Sequence, residues 1–206
     1  METTLLDLPG YQVNEYLLVL QPHEDLWNRI MAVKKAFSEK YDCPMALWTK
    51  PHITLVNFVQ YAIKEEKAVE KMGRIASRNS PFAVVLKDFG SFPTHTIYIN
   101  ISTQTAIVEL GKQLREAQAL MTLNKDNKPH FLSEPHLTIA RKLKPWQYEK
   151  GWLEYSNTPF TGMFIADHLL LLKRKVGIKK YEVLKKFELK GEPCTENKGI
   201  QLGLFA

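Results

Sequence analysis

Tyr16-Leu17-Leu18-Val19-Leu20 is an unbroken apolar run, too short for a helix and typical of a buried strand. After Pro22 the apolar positions spread out to Leu26, Ile30, Val33 and Phe37. Spacings of three and four predict an amphipathic helix ending near Tyr41. Pro51-His52-Ile53-Thr54-Leu55 returns to a strand pattern. Residues 64–79 then read as a helix, with Val69, Met72, Ile75 and Ala76 on one face, and residues 81–89 as a strand. The order recurs downstream. Residues 96–101 predict a strand, and residues 105–121 a helix striped by Ile107, Leu110, Leu114 and Ala117. A polar loop with Asn124, Asp126, Asn127 and Pro129 leads into Pro135-His136-Leu137-Thr138-Ile139. A shorter helix follows over 145–155, then strands over 159–167 and 169–174 and a strand or mixed segment over 180–189.

The recurrence extends to residue identity. Pro-His-Ile-Thr-Leu at 51–55 matches Pro-His-Leu-Thr-Ile at 135–139, and Asn79-Ser80-Pro81-Phe82 matches Asn157-Thr158-Pro159-Phe160. Two matches in the same order argue for a duplicated β-α-β-α-β unit and an α+β fold. The expected organisation is one bilobal domain over residues 1–190, with halves at about 13–92 and 95–190, and a C-terminal tail over 191–206. Duplicated units pack about a pseudo-two-fold axis, which would bring His52 and His136 into one cleft.

Side chains alternate along a strand, so His52 and Thr54 share one face while Ile53 and Leu55 take the other. His136 and Thr138 stand in the same relation to Leu137 and Ile139. Pro51 and Pro135 suit a strand start, where no ladder N–H is lost. A neutral imidazole can accept a proton from an attacking hydroxyl while a protonated one donates to the leaving oxygen. Threonine hydroxyls can hold the non-bridging phosphoryl oxygens. No step needs a metal or another cofactor. A single His-x-Thr is more often a surface or core histidine than a catalytic one. Two copies at equivalent points of a repeat are a different signal.

Paired His-x-Thr motifs, one per half of a duplicated domain, resemble the two-histidine (2H) phosphoesterase superfamily, in its 2′-5′ RNA ligase-like branch. The resemblance covers residues 13–190. Phe89-Gly90-Ser91-Phe92-Pro93 between the halves, Arg141, Gly177 and Tyr181 agree with it. It implies two pseudo-symmetric lobes of antiparallel-rich sheet lining a central groove, with helices outside. It also implies metal-free opening or joining of 2′,3′-cyclic and 2′-5′ phosphodiesters at RNA or nucleotide ends. His52, Thr54, His136 and Thr138 would carry the chemistry. Which histidine starts as base is not legible in the residues; the resemblance leans to His136 as base and His52 as acid. The chain departs from the pattern in Val56-Asn57-Phe58-Val59-Gln60, which lacks the glycine often found after the first motif, and in Trp48 and the long loop over 124–134.

Composition narrows the picture further. The 206 residues are 45% hydrophobic, enough for a sizeable core, and carry a formal charge of +6, which favours anionic partners. RNA ends or small phosphodiester nucleotides are the expected partners, with a monomer and no obligate protein partner. Lys50 and Arg141 flank the motifs and, with Tyr181, are candidate substrate-binding residues. Arg141 sits at an odd offset from His136, so a regular strand would turn it away; a bulge or strand end would have to bring it back. The basic positions Lys173, Arg174, Lys175, Lys179, Lys180, Lys185 and Lys186 could track an RNA backbone, but fit better as a solvated edge strand. Trp48, Phe92, Tyr98 and Phe131 could stack a base, although such aromatics are usually core. His95 and His130 lack metal-ligand spacing, and Cys43 and Cys194 form neither a metal motif nor a disulfide framework. With no apolar stretch of membrane length and no basic, apolar leader at Met1-Glu2-Thr3-Thr4, the expected location is the cytoplasm. A catalytically silent RNA- or nucleotide-binding module on the same fold is the rival reading.

Overall fold

The computed structural model describes residues 11–193. Most of the segment expected to be a tail lies outside the described residues, as does Cys194. The elements are β1 (Val13–Leu20), α1 (Glu24–Lys40), β2 (Ile53–Tyr61), α2 (Glu65–Arg78), β3 (Phe82–Phe92), β4 (Thr96–Ile101), α3 (Thr105–Leu114), α4 (Gln118–Met121), β5 (His130–Phe131), β6 (His136–Arg141), α5 (Pro145–Tyr155), β7 (Thr161–Ala166), β8 (His168–Lys175) and β9 (Glu182–Glu188). The main differences from the pattern-based reading are four, one being β5, a two-residue strand inside the expected loop. β2 runs on to Tyr61, and β3 runs on to Phe92, so Phe89-Gly90-Ser91-Phe92 is strand and not connector. The helix expected over 105–121 breaks after Leu114 into a 3₁₀ turn and the short α4.

Neighbouring strands all pair antiparallel, in the order β7-β3-β4-β6-β2-β1-β8-β9, with β5 added beside β2. Cross-strand partners share a face. The pairs Val84–Phe164, Leu86–Ile101, Ile99–Leu137, Leu137–Ile53, Ile53–Leu20 and Leu18–Leu171 therefore trace one continuous apolar face, and every one of these residues is buried. The helices cover that face: α1 on β6 and β7, α5 on β4, α2 on β9, and α3 and α4 on β2. The opposite face is the groove. Among the described residues no helix is long and apolar enough to cross a membrane.

The pseudo-dyad passes between β2 and β6, which meet through a single ladder pair, Ile53–Leu137. β1 flanks β2 as β4 flanks β6. The third strands behave differently. β3 and β7 share the Asn-(Ser/Thr)-Pro-Phe lead-in, yet they lie side by side, from Phe82–Ala166 to Lys87–Thr161; the spatial counterpart of β3 across the seam is β8. Helix α1 likewise crosses to the second half's strands, and α3 and α4 cross to β2. Neither half can bury its apolar face without the other.

Helices α1 and α4 each end on a buried glutamine. The Gln147 amide donates to the carbonyls of Tyr41 and Asp42, both at 2.9 Å, just past α1, while its Oε1 accepts from Lys144 N–H at 2.9 Å. The Gln60 amide donates to the carbonyls of Leu120 at 2.8 Å and Thr122 at 3.0 Å, at the end of α4. A buried carbonyl stripped of its donor incurs its full desolvation cost. Gln147→Leu, which leaves two carbonyls unpaired, is therefore expected to destabilise the protein by about 2–4 kcal/mol. Urea unfolding with an unchanged m-value would measure it.

Candidate active site

The motifs take their geometry from strand alternation. Ile53, Leu55, Leu137 and Ile139 are buried in the core, whereas His52, Thr54, His136 and Thr138 are half-buried on the groove face. His136 opens β6; His52 stands one residue ahead of β2 and not within it. Extending the antiparallel register from Ile53–Leu137 sets His52 opposite Thr138 and Thr54 opposite His136. The four side chains thus form a two-by-two array across the seam.

Both imidazoles are tied down in the same way. Nδ1 of His52 lies 2.7 Å from the carbonyl of Lys50, and Nδ1 of His136 lies 2.8 Å from the carbonyl of Glu134. A carbonyl only accepts, so each Nδ1 carries the proton and donates it. Each Nε2 is left as the open nitrogen, able to take or give a proton. The residue two positions upstream does the same task in both halves, as a duplication requires.

A bulge follows each motif. β1 and β4 skip Leu55 and Ile139 respectively, so Leu55–Val56 and Ile139–Ala140 both turn inward, all four buried. The alternation is reset one residue late, and Arg141 and Asn57 emerge exposed on the groove side. This is the rescue that Arg141 needed. It also identifies Asn57 as the pseudo-symmetric partner of Arg141, which the sequence reading passed over as a departure from pattern.

The surroundings of the two histidines differ. Burial holds the His52 imidazole below the ordinary histidine range, an effect the Lys50 carbonyl opposes and the charges of Lys34, Arg141 and His136 reinforce. Lys34 is fully buried; its ammonium donates to Thr49 Oγ1 at 3.2 Å and to the carbonyl of Thr138 at 3.3 Å. Burial first, and then the Arg141 charge, push it down to about 8. The sequence reading missed this residue because it drew the helix stripe from apolar positions alone; Val33, which it included, is partly buried against the core. The buried stripe is Leu26, Ile30, Lys34 and Phe37, and a lysine at spacing four from Ile30 and three from Phe37 was the available signal.

His136 has aromatic neighbours instead. The Phe92 and Tyr98 rings each lie 5.0 Å from its imidazole and 4.7 Å from one another. Gly90 makes room for this wall: a Cβ there would stand 2.5 Å from the Tyr98 ring and from Asn100 Oδ1. Phe92 and Tyr98 thus stand beside His136 and not in the core, and Trp48 is 65% exposed. Phe131 is buried, under the Arg115 guanidinium.

The remaining candidates are spread around the groove. Lys50 meets the site through its carbonyl, and its side chain is exposed. Tyr181 is half-buried: its hydroxyl donates to Glu15 Oε2 at 3.3 Å and the Arg174 guanidinium sits 4.5 Å over its ring. Burial pushes its phenol up, against the charges of Arg174 and, to a smaller extent, Arg141. The basic segment is divided. Lys173 pairs with Glu65 and Arg174 with Glu15, in the interior strand β8, whereas Lys185 and Lys186 are exposed on the edge strand β9. His95 bonds to Thr96, and His130 lies opposite Asn57. Among the described residues no three His, Cys, Asp or Glu side chains are grouped to hold a metal.

Comparison with known proteins agrees with this architecture. The model of the 2′-5′ RNA ligase superfamily matches residues 22–177. A protein of Geobacillus kaustophilus (strain HTA426), which bears only a provisional phosphoesterase name, is 31% identical over 127 residues, 58% of this chain and 67% of the relative. Among solved structures, TT0787 of Thermus thermophilus superposes with a TM-score of 0.63 at 18% identity, covering 87% of this chain and all of that one. E. coli LigT complexed with 3′-AMP gives 0.63 at 18% identity, over 86% of this chain and 99% of LigT. At that identity the structures share a fold. The match to the family model, spanning both motifs, goes further: this chain belongs to the 2′-5′ RNA ligase superfamily.

Proposed function

We propose that the chain is a phosphodiesterase or reversible ligase, needing no metal, that acts on 2′,3′-cyclic or 2′-5′ phosphodiesters of RNA ends or small nucleotides. The observation that carries this is the pair of carbonyl-locked histidines, each with its Nε2 open and a threonine of the other motif opposite. LigT, which shares the fold, has been crystallised with 3′-AMP and with phosphate, ligands of matching chemistry.

For hydrolysis, the neutral histidine takes a proton from water as its oxygen attacks phosphorus. The bond from phosphorus to the ribose oxygen breaks, and the protonated histidine supplies that oxygen with its proton. One histidine gains a proton and the other loses one, and solvent restores both. With a 5′-hydroxyl in place of water the same transfers join two ends. Thr54 and Thr138 hold the non-bridging oxygens, and Arg141 faces the charge that builds on them. Because burial favours the neutral form of His52, we assign His52 as base and His136 as acid in hydrolysis. This reverses the order to which the family resemblance leans.

His52→Ala and His136→Ala should each lower the rate by about 10²–10⁴, with the double variant little worse than either. Thr54→Val and Thr138→Val should cost less. The assay is turnover of 2′,3′-cyclic mononucleotides, 2′-5′ dinucleotides and cyclic-phosphate-ended RNA. Alanine variants that match wild type would overturn the assignment. A wild type that binds these ligands without turnover, with affinity falling steeply in salt, would establish the silent-module reading instead.

The acid limb of kcat/KM should report deprotonation of His52. It should lie below the ordinary histidine value of about 6.5, since a depressed base stays neutral to lower pH. An acid limb that is not depressed would overturn the assignment of His52 as base.

Activity should also survive exhaustive EDTA treatment, because two imidazoles and two hydroxyls make an acid–base site and a poor metal site. Loss that a divalent ion restores would refute it.

A further inference from the structure

We propose that Lys34 is a positioning residue of the paired-histidine site: an internal cation that ties the two motifs together beneath the groove and keeps His52 in its neutral, proton-accepting form. The proposal rests on the reading of His52 and His136 as the acid–base pair.

The geometry supplies the first half. Lys34 rises from α1 on the helix-covered side of the sheet, fully buried. One bond goes to Thr49, three residues ahead of His52; the other goes to the carbonyl of Thr138, within the second motif and at the edge of its bulge. β2 and β6 share only one ladder pair. Lys34 is thus a second link between the approach to one motif and the backbone of the other, supplied by a helix that has crossed between halves.

Charge supplies the second half. His52 is faced by Lys34 from α1 and by Arg141 and His136 from β6, all cationic when protonated. Lys34 is itself faced by Arg141 and by Cys43, whose thiol burial holds upward. Among the described residues no carboxylate pairs with Lys34. A buried ammonium on neutral oxygens is a poor stabiliser, and an apolar side chain of like length usually serves the fold as well. Retaining it is intelligible as a functional device: it opposes a second positive charge on His52 and adds field for an anionic phosphate held one strand's thickness above.

The test is Lys34→Met, followed by NMR titration of the His52 ring and by kcat/KM against pH. Relief of the buried charge offsets the two hydrogen bonds lost, so the variant should melt within a few degrees of wild type. The His52 midpoint should move up toward the ordinary histidine range, and the acid limb should move up with it, so that the rate at acid pH falls several-fold. Thr49→Val cuts one bond and keeps the charge; it should lower kcat several-fold without moving the midpoint. In the wild type, the His52 signals should show a second inflection near pH 8 as Lys34 loses its proton. A folded Lys34→Met protein with wild-type titration and rate profile overturns the proposal. If that variant does not fold, an unchanged Thr49→Val rate together with no second inflection overturns it. A protein that turns over nothing, yet shows the shifted His52 midpoint, would sink the proposed function and leave the Lys34 coupling standing.

Discussion

The site depends on one contact in the sheet, the antiparallel pairing of Ile53 with Leu137. It is the single ladder pair between the two central strands, and both side chains are fully buried. Strand alternation does the rest: pointing Ile53 and Leu137 into the core sends His52, Thr54, His136 and Thr138 to the other side. A slip of one residue would bury the histidines and expose the apolar pair. So short a seam is held by more than itself. Helix α1 of the first half packs on β6 and β7, and α3 and α4 of the second pack on β2. Apolar burial across the swap clamps the two strands.

Given that clamp, the chemistry needs few further parts. A backbone carbonyl fixes each tautomer, a role that demands no particular side chain at residues 50 and 134. Lys50, a candidate binding residue in sequence, meets the site through its carbonyl while its side chain is exposed. Backbone acceptors leave no mark in a sequence.

Much of the arrangement was legible because it is periodic. The His-x-Thr repeats, their inward apolar partners and the helix stripes all follow from spacings of two and of three to four. What escaped was set by departures from period or by the partners that crossing elements bring. Arg141 needed a bulge, which shows in the burial of both Ile139 and Ala140 and in nothing about their identities. The adjacency of β3 and β7 is a matter of topology; their matching Asn-(Ser/Thr)-Pro-Phe starts pointed to equivalent places across the dyad, whereas the strands came to lie side by side. Lys34 is charged, and a stripe drawn from apolar residues alone steps around it. Phe92 and Tyr98 reach His136 only because Gly90 leaves space beneath the Tyr98 ring.

Duplication alone would make the two histidines equal, and equal histidines would have no reason to divide the labour of acid and base. The motifs and their carbonyl locks are the same in both halves, so any difference between them comes from neighbours. His52 stands over an internal lysine and within reach of Arg141, the residue whose counterpart after the first motif is the uncharged Asn57. His136 stands beside two touching aromatic rings, whereas the position that matches Tyr98 across the seam, opposite Thr54, is Val19. One side of the groove gathers cations and the other gathers ring faces. A cation beside an imidazole disfavours its protonation and attracts phosphate, and an aromatic wall accepts a flat apolar group. On the proposed acid–base reading, the divergence of these flanks, and not of the motifs themselves, is what would give a nearly symmetric site a direction.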